Sequence, residues 1–171
     1  MARLPIRVYG DPILRKKAEE IKEIDEEIKK LAGDMLETCK EVKAAGLAAN
    51  QVGVAKKIFV VDRTSVNLDE NPLVMINPEV LETEGEEVGE EGCMSVPGPF
   101  EDVKRPLRVK IKGLGLDGKE TVIEGRGFLA RVLVHEIDHL NGLLFIDHIS
   151  SVRRQLLSRK LREISRKGSA E

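Results

Sequence analysis

The sequence predicts an α+β fold: mainly antiparallel sheets around a central helix, with an N-terminal helix before them and a C-terminal helix after them. Three observations carry that expectation. Ile28, Leu31, Met35, Cys39 and Val42 recur at steps of three to four residues, which marks an amphipathic helix over roughly 25–43. Short runs rich in Val, Ile and Thr then read as strands at 57–62, 73–76, 80–83, 108–112 and 121–124, segregated from the helices. The stretch from Phe128 to Leu144, FLARVLVHEIDHLNGLL, is apolar around most of its circumference, as a buried helix must be, and Asn141-Gly142 supplies its stop signal.

Length and composition agree with a small enzyme-sized unit. A chain of 171 residues can bury a sizeable core, and no Ser- or Pro-rich linker divides it, so residues 1–171 are expected to form one domain with a C-terminal helix from about residue 150. With 28 Lys and Arg against 30 Asp and Glu, the formal charge of −2 excludes an electrostatic nucleic-acid binder. The start, MARLPIRVYGD, lacks an apolar signal core, and no run of about 18 apolar residues exists, so a cytoplasmic protein without membrane contact is expected. Two cysteines do not make a disulfide framework.

The chemistry concentrates in His135-Glu136-Ile137-Asp138-His139. On a helix, the i, i+4 spacing sets His135 and His139 on one face about 6 Å apart, close enough for both to reach one divalent ion. Glu136 can then act on a water beside the ion without being a ligand. The alternative is a pair of core histidines bonded to backbone carbonyls. Such a catalytic site needs a third protein ligand and an open fourth position. His148 follows the helix end and reads as a turn or surface residue. Cys39 falls on the core face of the first helix. Cys93 lies in EEGCMSVPG, preceded by glycine and closed by Pro-Gly, an irregular backbone that would let a thiolate approach an ion closely. A reduced structural cysteine on a loop remains open at this point.

GLAANQ at Gly46–Gln51, EGCMS at Glu91–Ser95 and HEIDH at His135–His139 together resemble, in order and separation, the three motifs of the peptide deformylases of bacterial type. The resemblance extends from about Leu4 to Arg166 and includes VYGDPILRKKAEEI near the start. It implies removal of the N-formyl group from the formylmethionine that begins new polypeptides. It also implies Cys93, His135 and His139 as metal ligands and Glu136 as the base that takes a proton from the attacking water and later returns it to the amine. The developing oxyanion would meet the Gln51 side-chain amide and the Met94 backbone N–H. Without the resemblance, Gln51 could equally cap a helix or satisfy a turn. The small residues Ala44, Ala45 and Gly46 allow a close backbone approach, which the resemblance assigns to substrate pairing at Gly46. Ala44 stands where the family usually has glycine, and Met94 where it usually has leucine. Neither change touches a ligand or the base.

Asp138, between the two histidines, cannot easily face the ion, and a structural pairing with Arg105 is expected. Phe128 and Arg131 precede His135 by two turns and one turn, and are expected to border the pocket for the methionine side chain. Cys and two His suit Fe(II), Zn, Ni or Co, and the resemblance favours Fe(II) in the cell. The segment 150–167 carries seven Lys or Arg against Glu163 alone, with Leu156, Leu157, Leu161 and Ile164 at helical spacing. A terminal helix docked by its leucines and a ribosome-binding helix both fit that pattern. Two rival functions stand beside the deformylase: an HExxH zinc endopeptidase and a non-catalytic binding module stabilised by its metal.

Overall fold

The computed structural model describes residues 2–66 and 71–170. The first helix, α1 (Glu26–Glu41), starts where the Asp25 side chain accepts the Ile28 N–H at 3.0 Å. It turns Ile28, Ala32, Met35 and Cys39 inward. It ends two residues short of the predicted boundary, because Lys43 adopts a left-handed backbone (φ 58°) that leads the chain into the next strand.

Strands β1 (Gly46–Ala48), β2 (Ile58–Val61), β3 (Leu73–Glu84), β6 (Arg108–Leu114) and β7 (Glu120–Arg126) form one antiparallel sheet in the order β1-β2-β3-β6-β7. Between β3 and β6 in sequence, β4 (Glu87–Cys93) and β5 (Val96–Arg105) make a separate antiparallel hairpin. The predicted strands 73–76 and 80–83 are halves of the single strand β3. Asn77-Pro78 reads as a break, but the structure makes it a bulge: Asn77 takes φ 51°, and its amide pairs with both the N–H and the C=O of Ile21 at 2.9 Å.

The irregular backbone expected around Cys93 is mostly strand. Hydrophobic alternation misses β5 because its inward row includes Glu101 and Arg105 beside Pro99 and Val103, so half of that row is charged. Arg105 is accordingly the last residue of β5, outside the strand predicted at 108–112.

The second helix, α2 (Phe128–Leu140), carries HEIDH and packs against β1, β2, β6 and β7, touching β5 on its other side. It stops at Leu140, immediately before the predicted stop signal Asn141-Gly142. Gly142 adopts φ 77°, and a Cβ there would stand 2.5 Å from the Arg15 carbonyl, so the chain must turn away. Strand β2, with all four residues buried, shows how the layers meet: Ile58 and Val60 face α1 and its cluster, while Phe59 and Val61 face α2. The last helix, α3 (Ser151–Ala170), covers Val96, Val103, Phe145 and Ile146 with Leu157, Leu161 and Ile164. Leu156 does not join them and is 67% exposed. Among the described residues, no helix is long and apolar enough to cross a membrane.

Candidate active site

One turn of α2 and the end of β4 bring three donors together. His135 Nε2 and His139 Nε2 lie 3.1 Å apart, and Cys93 Sγ is 3.3 Å from His139 Nε2. All three donor atoms fall within 4.8 Å of one another. Four-coordinate bonds of about 2.1 Å to nitrogen and 2.3 Å to sulfur place such donors roughly 3.4–3.6 Å apart, so the spacing fits one ion held between them. The proton bookkeeping fits as well. His135 Nδ1 is 2.5 Å from Glu91 Oε1, which assigns the ring proton to Nδ1 and leaves Nε2 a lone pair facing the other donors.

Glu91 is the hub that sequence reasoning missed. Its buried carboxylate takes Arg105 Nε at 3.0 Å and NH2 at 2.5 Å, and Arg131 NH1 at 3.0 Å, besides His135. Burial pushes the Glu91 carboxyl up, but His135 and Arg105 outweigh it and hold the group well below the usual carboxylate range. An anionic Glu91 strengthens His135 as a donor. The available signal was Glu91 inside EGCMS, an acid one position before a glycine in an otherwise tight segment. Arg131 also donates to Val103 O at 2.9 Å and Glu87 O at 3.0 Å, so it ties the hairpin to α2.

Asp138 points away from the three donors, and Arg105 NH1 reaches its Oδ2 at 2.6 Å. The same oxygen lies 2.8 Å from His148 Nε2. His148, read as a turn or surface residue, sits on the short 3-10 turn Phe145–His148 as expected, but it is linked through Asp138 to the buried cluster. Cys39 is fully buried under α1 and lies apart from the donor set, 3.1 Å from the Ala44 carbonyl.

The donors open onto a cleft of about 590 Å³ lined by Ala45, Gly46, Gln51, Met94, Phe128 and Glu136 among others. His139, Asp138 and Arg105 lie behind it. Glu136 is 3% exposed, its Oε1 is 3.9 Å from His135 Nε2, and its Oε2 has no hydrogen-bond partner among the described residues. Burial pushes its carboxyl up to about 7, where a group can both take and give a proton near neutrality. Gln51 Oε1 accepts the Ala48 N–H at 3.0 Å, which aims Nε2 at Ser95 Oγ (3.1 Å) and Cys93 Sγ (3.5 Å). The Gln51 amide N–H therefore points at the donor set while its oxygen holds a turn. Gly46 is tight for a reason: a Cβ there would stand 3.1 Å from both Glu136 Cγ and the Val60 carbonyl. Met94 sits at the tip of the β4–β5 turn with its side chain 41% exposed, and Phe128 stands at the cleft mouth, 55% exposed.

Known proteins resemble this chain in sequence and in fold. The sequence pattern of the polypeptide deformylase family matches residues 3–155. A peptide deformylase of Thermodesulfovibrio yellowstonii is 48% identical over 162 residues, covering 95% of this chain and 98% of that one. One from Clostridium botulinum is 51% identical over 147 residues, 86% of this chain and 97% of that one. In three dimensions, a peptide deformylase from Legionella pneumophila superposes with a TM-score of 0.90 at 38% identity, covering 99% of both chains. The Ehrlichia chaffeensis peptide deformylase in complex with actinonin gives 0.88 at 36% identity, covering 98% of both. The family pattern, the sequence relatives and the shared fold agree, and the chain belongs to the polypeptide deformylase family.

Proposed function

We propose that this chain removes the N-formyl group from the N-terminal formylmethionine of newly made polypeptides, releasing formate, and that residues 1–171 act as one catalytic unit. The observation that carries the reading is the grouping of Cys93, His135 and His139, the first two of them lining a cleft that also holds a buried, partly unpartnered Glu136 and the Gln51 amide. A divalent ion on those three ligands, Fe(II) in the cell with Zn, Ni or Co able to substitute, would supply Lewis-acid polarisation and a more acidic water. Glu136 takes a proton from the attacking water as the water oxygen bonds to the formyl carbon. When the C–N bond breaks, Glu136 returns the proton to the departing amine. Gln51 Nε2 and the Met94 N–H donate to the oxygen that gains charge, each such donor being worth about 10²–10³ in turnover.

The substrate main chain pairs with β1. That strand is at the edge of its sheet, with β2 as its strand partner among the described residues, so its outer side can take an extended peptide. Ala45 and Gly46 lie along that side of the cleft and Phe128 borders the side-chain pocket. Arg105 and Asp138 hold the helix and hairpin in register behind it. The endopeptidase reading rests on HExxH alone, and a purely structural metal site would need neither Glu136 nor Gln51.

A cytoplasmic location and ribosome attachment through α3 complete the reading. Arg153 and Arg154 are taken up by Glu101 and Asp147, and Lys160, Arg162 and Lys167 are among the exposed cations left for an anionic surface. Leu161 and Ile164 cover the core, so charge reversal at Lys160 and Arg162 tests attachment more cleanly than truncation; undiminished co-sedimentation at low salt rules it out. The reaction itself is tested by formate release from a short N-formylmethionyl peptide, using anaerobic Fe(II)- or Ni(II)-loaded protein beside Glu136→Gln. An N-acetyl peptide and an internally cleavable peptide serve as controls. Release that disappears in the variant is expected; cleavage of the internal peptide instead would overturn the reading.

A further inference from the structure

A line of hydrogen bonds leaves the ligand set and reaches the surface at His148. From the inside outward, His135 Nδ1 meets Glu91 Oε1 at 2.5 Å, Glu91 is gripped by Arg105 Nε and NH2, Arg105 NH1 meets Asp138 Oδ2 at 2.6 Å, and His148 Nε2 lies 2.8 Å from the same oxygen. Side-chain exposure is lowest in the middle of it, 5% at Glu91 and 3% at Arg105, and rises to 14% at Asp138 and 35% at His148. His148 lines a second, open cleft, of about 550 Å³, with Glu101, Lys104 and Arg153 among its neighbours. There Glu101 and Arg153 satisfy each other, with contacts of 2.8–3.1 Å, so Asp138 is the group His148 addresses.

The geometry of Arg105 makes the line mechanically stiff. A guanidinium is a rigid plane, and this one spans two carboxylates, with Nε and NH2 on Glu91 and NH1 on Asp138. The position of Asp138 Oδ2 therefore sets the tilt of the whole fork, and the fork sets where Glu91 presents Oε1 to His135. Of Glu91, Arg105 and Asp138, Asp138 is the most exposed. His148 occupies the remaining side of Oδ2 and holds it on Arg105 instead of letting it turn to solvent.

We propose that His148 is a positioning residue for the metal ligand His135, acting through Asp138, Arg105 and Glu91. It rests on the ligand set proposed above, and the test separates the two. Zinc affinity, by competition with a chromophoric chelator, and the ligand-field spectrum of the Co(II)-loaded protein are measured for the wild type, His148→Ala, His148→Gln and Cys93→Ser. A partner bonded directly to a ligating histidine is typically worth 10–100-fold in metal affinity, so His148→Ala, several links farther out, is expected to weaken zinc by about threefold to tenfold and to shift the Co(II) bands. Glutamine can donate an amide N–H to the same oxygen, so His148→Gln is expected to restore both readouts. A His148→Ala protein equal to wild type, or a His148→Gln protein no better than alanine, overturns the inference. Undiminished zinc binding in Cys93→Ser would instead remove the ligand set, and the inference with it.

Discussion

Arg105→Met is the most informative single perturbation of the framework behind the cleft. Arg105 is 4% exposed and makes three charge-assisted hydrogen bonds to two carboxylates. Methionine fills much of the same stem volume, so the change chiefly removes the charge and its donors. Removing one partner of a buried ion pair costs about 3–5 kcal/mol. Two features place this case near the lower end. Glu91 keeps Arg131 at 3.0 Å and His135 at 2.5 Å, and Asp138 keeps His148 and some access to water. A loss of about 3 kcal/mol corresponds, for a chain of this size, to a fall in Tm of roughly 6–12 °C. The assay is thermal unfolding of the metal-free protein followed by circular dichroism, because a bound ion would add its own stabilisation. Arg108→Met is the control. Arg108 also faces three carboxylates, Glu82, Glu84 and Glu124, but these are all well exposed, and a smaller loss is expected there. A Tm for Arg105→Met within about 2 °C of wild type, or a larger loss in the Arg108 control, would refute the reasoning.

Three further outcomes are expected. Asp147 accepts Arg15, Arg154 and the Leu144 N–H; burial raises its carboxyl, but these partners outweigh that and hold it at about 2. Its folded value thus lies below the roughly 3.9 of the unfolded chain, so its contribution, about 1 kcal/mol after screening, is full above pH 4 and lost as pH falls toward 2. The Tm gap between wild type and Asp147→Asn should therefore shrink over that window, and a gap independent of pH would contradict it. Cys39 is fully buried, with its thiol pushed up to about 12 by burial and then by the Glu136 and Asp62 charges, whereas Cys93 is only half-buried. Metal-free protein should label at one thiol in the native state, and a bound ion should protect it; two rapid reactions would count against this arrangement. Gly46→Ala brings a methyl against Glu136 and the Val60 carbonyl, a shift of a few tenths of an ångström, and since 1 Å of misplacement can cost about 10²-fold, kcat/KM should fall on the order of tenfold. An unchanged kcat/KM would mean that Gly46 has more room than its neighbours leave it.

The helices and strands β2, β3, β6 and β7 were legible mainly because their inward rows are apolar, whereas the three-residue β1 was not predicted. Ile28, Met35 and Cys39 on α1, and Phe59 and Val61 on β2, bury the side chains that a simple periodicity would select. The β4–β5 hairpin was not legible for the opposite reason: Glu91, Glu101 and Arg105 point inward, and their burial is tolerable only because partners from α2 and α3 complete them. The same residues hide part of the site. Cys93, His135, Glu136 and His139 announce themselves by type and spacing, while Glu91 and Ser95 act through partners more than 40 residues away in sequence. His148 lies only ten residues from Asp138, yet a chain turn separates it from the helix, so no helical spacing links the two.

The measurement that bears most directly on the whole account is the anomalous scattering of a crystal of Co(II)- or Ni(II)-loaded protein at the absorption edge of the metal. One peak per chain is expected, about 2.0–2.3 Å from Cys93 Sγ, His135 Nε2 and His139 Nε2, with its remaining side open to the cleft beside Glu136 and Gln51. A peak on exposed carboxylates, or a fourth protein ligand closing that side, would contradict it.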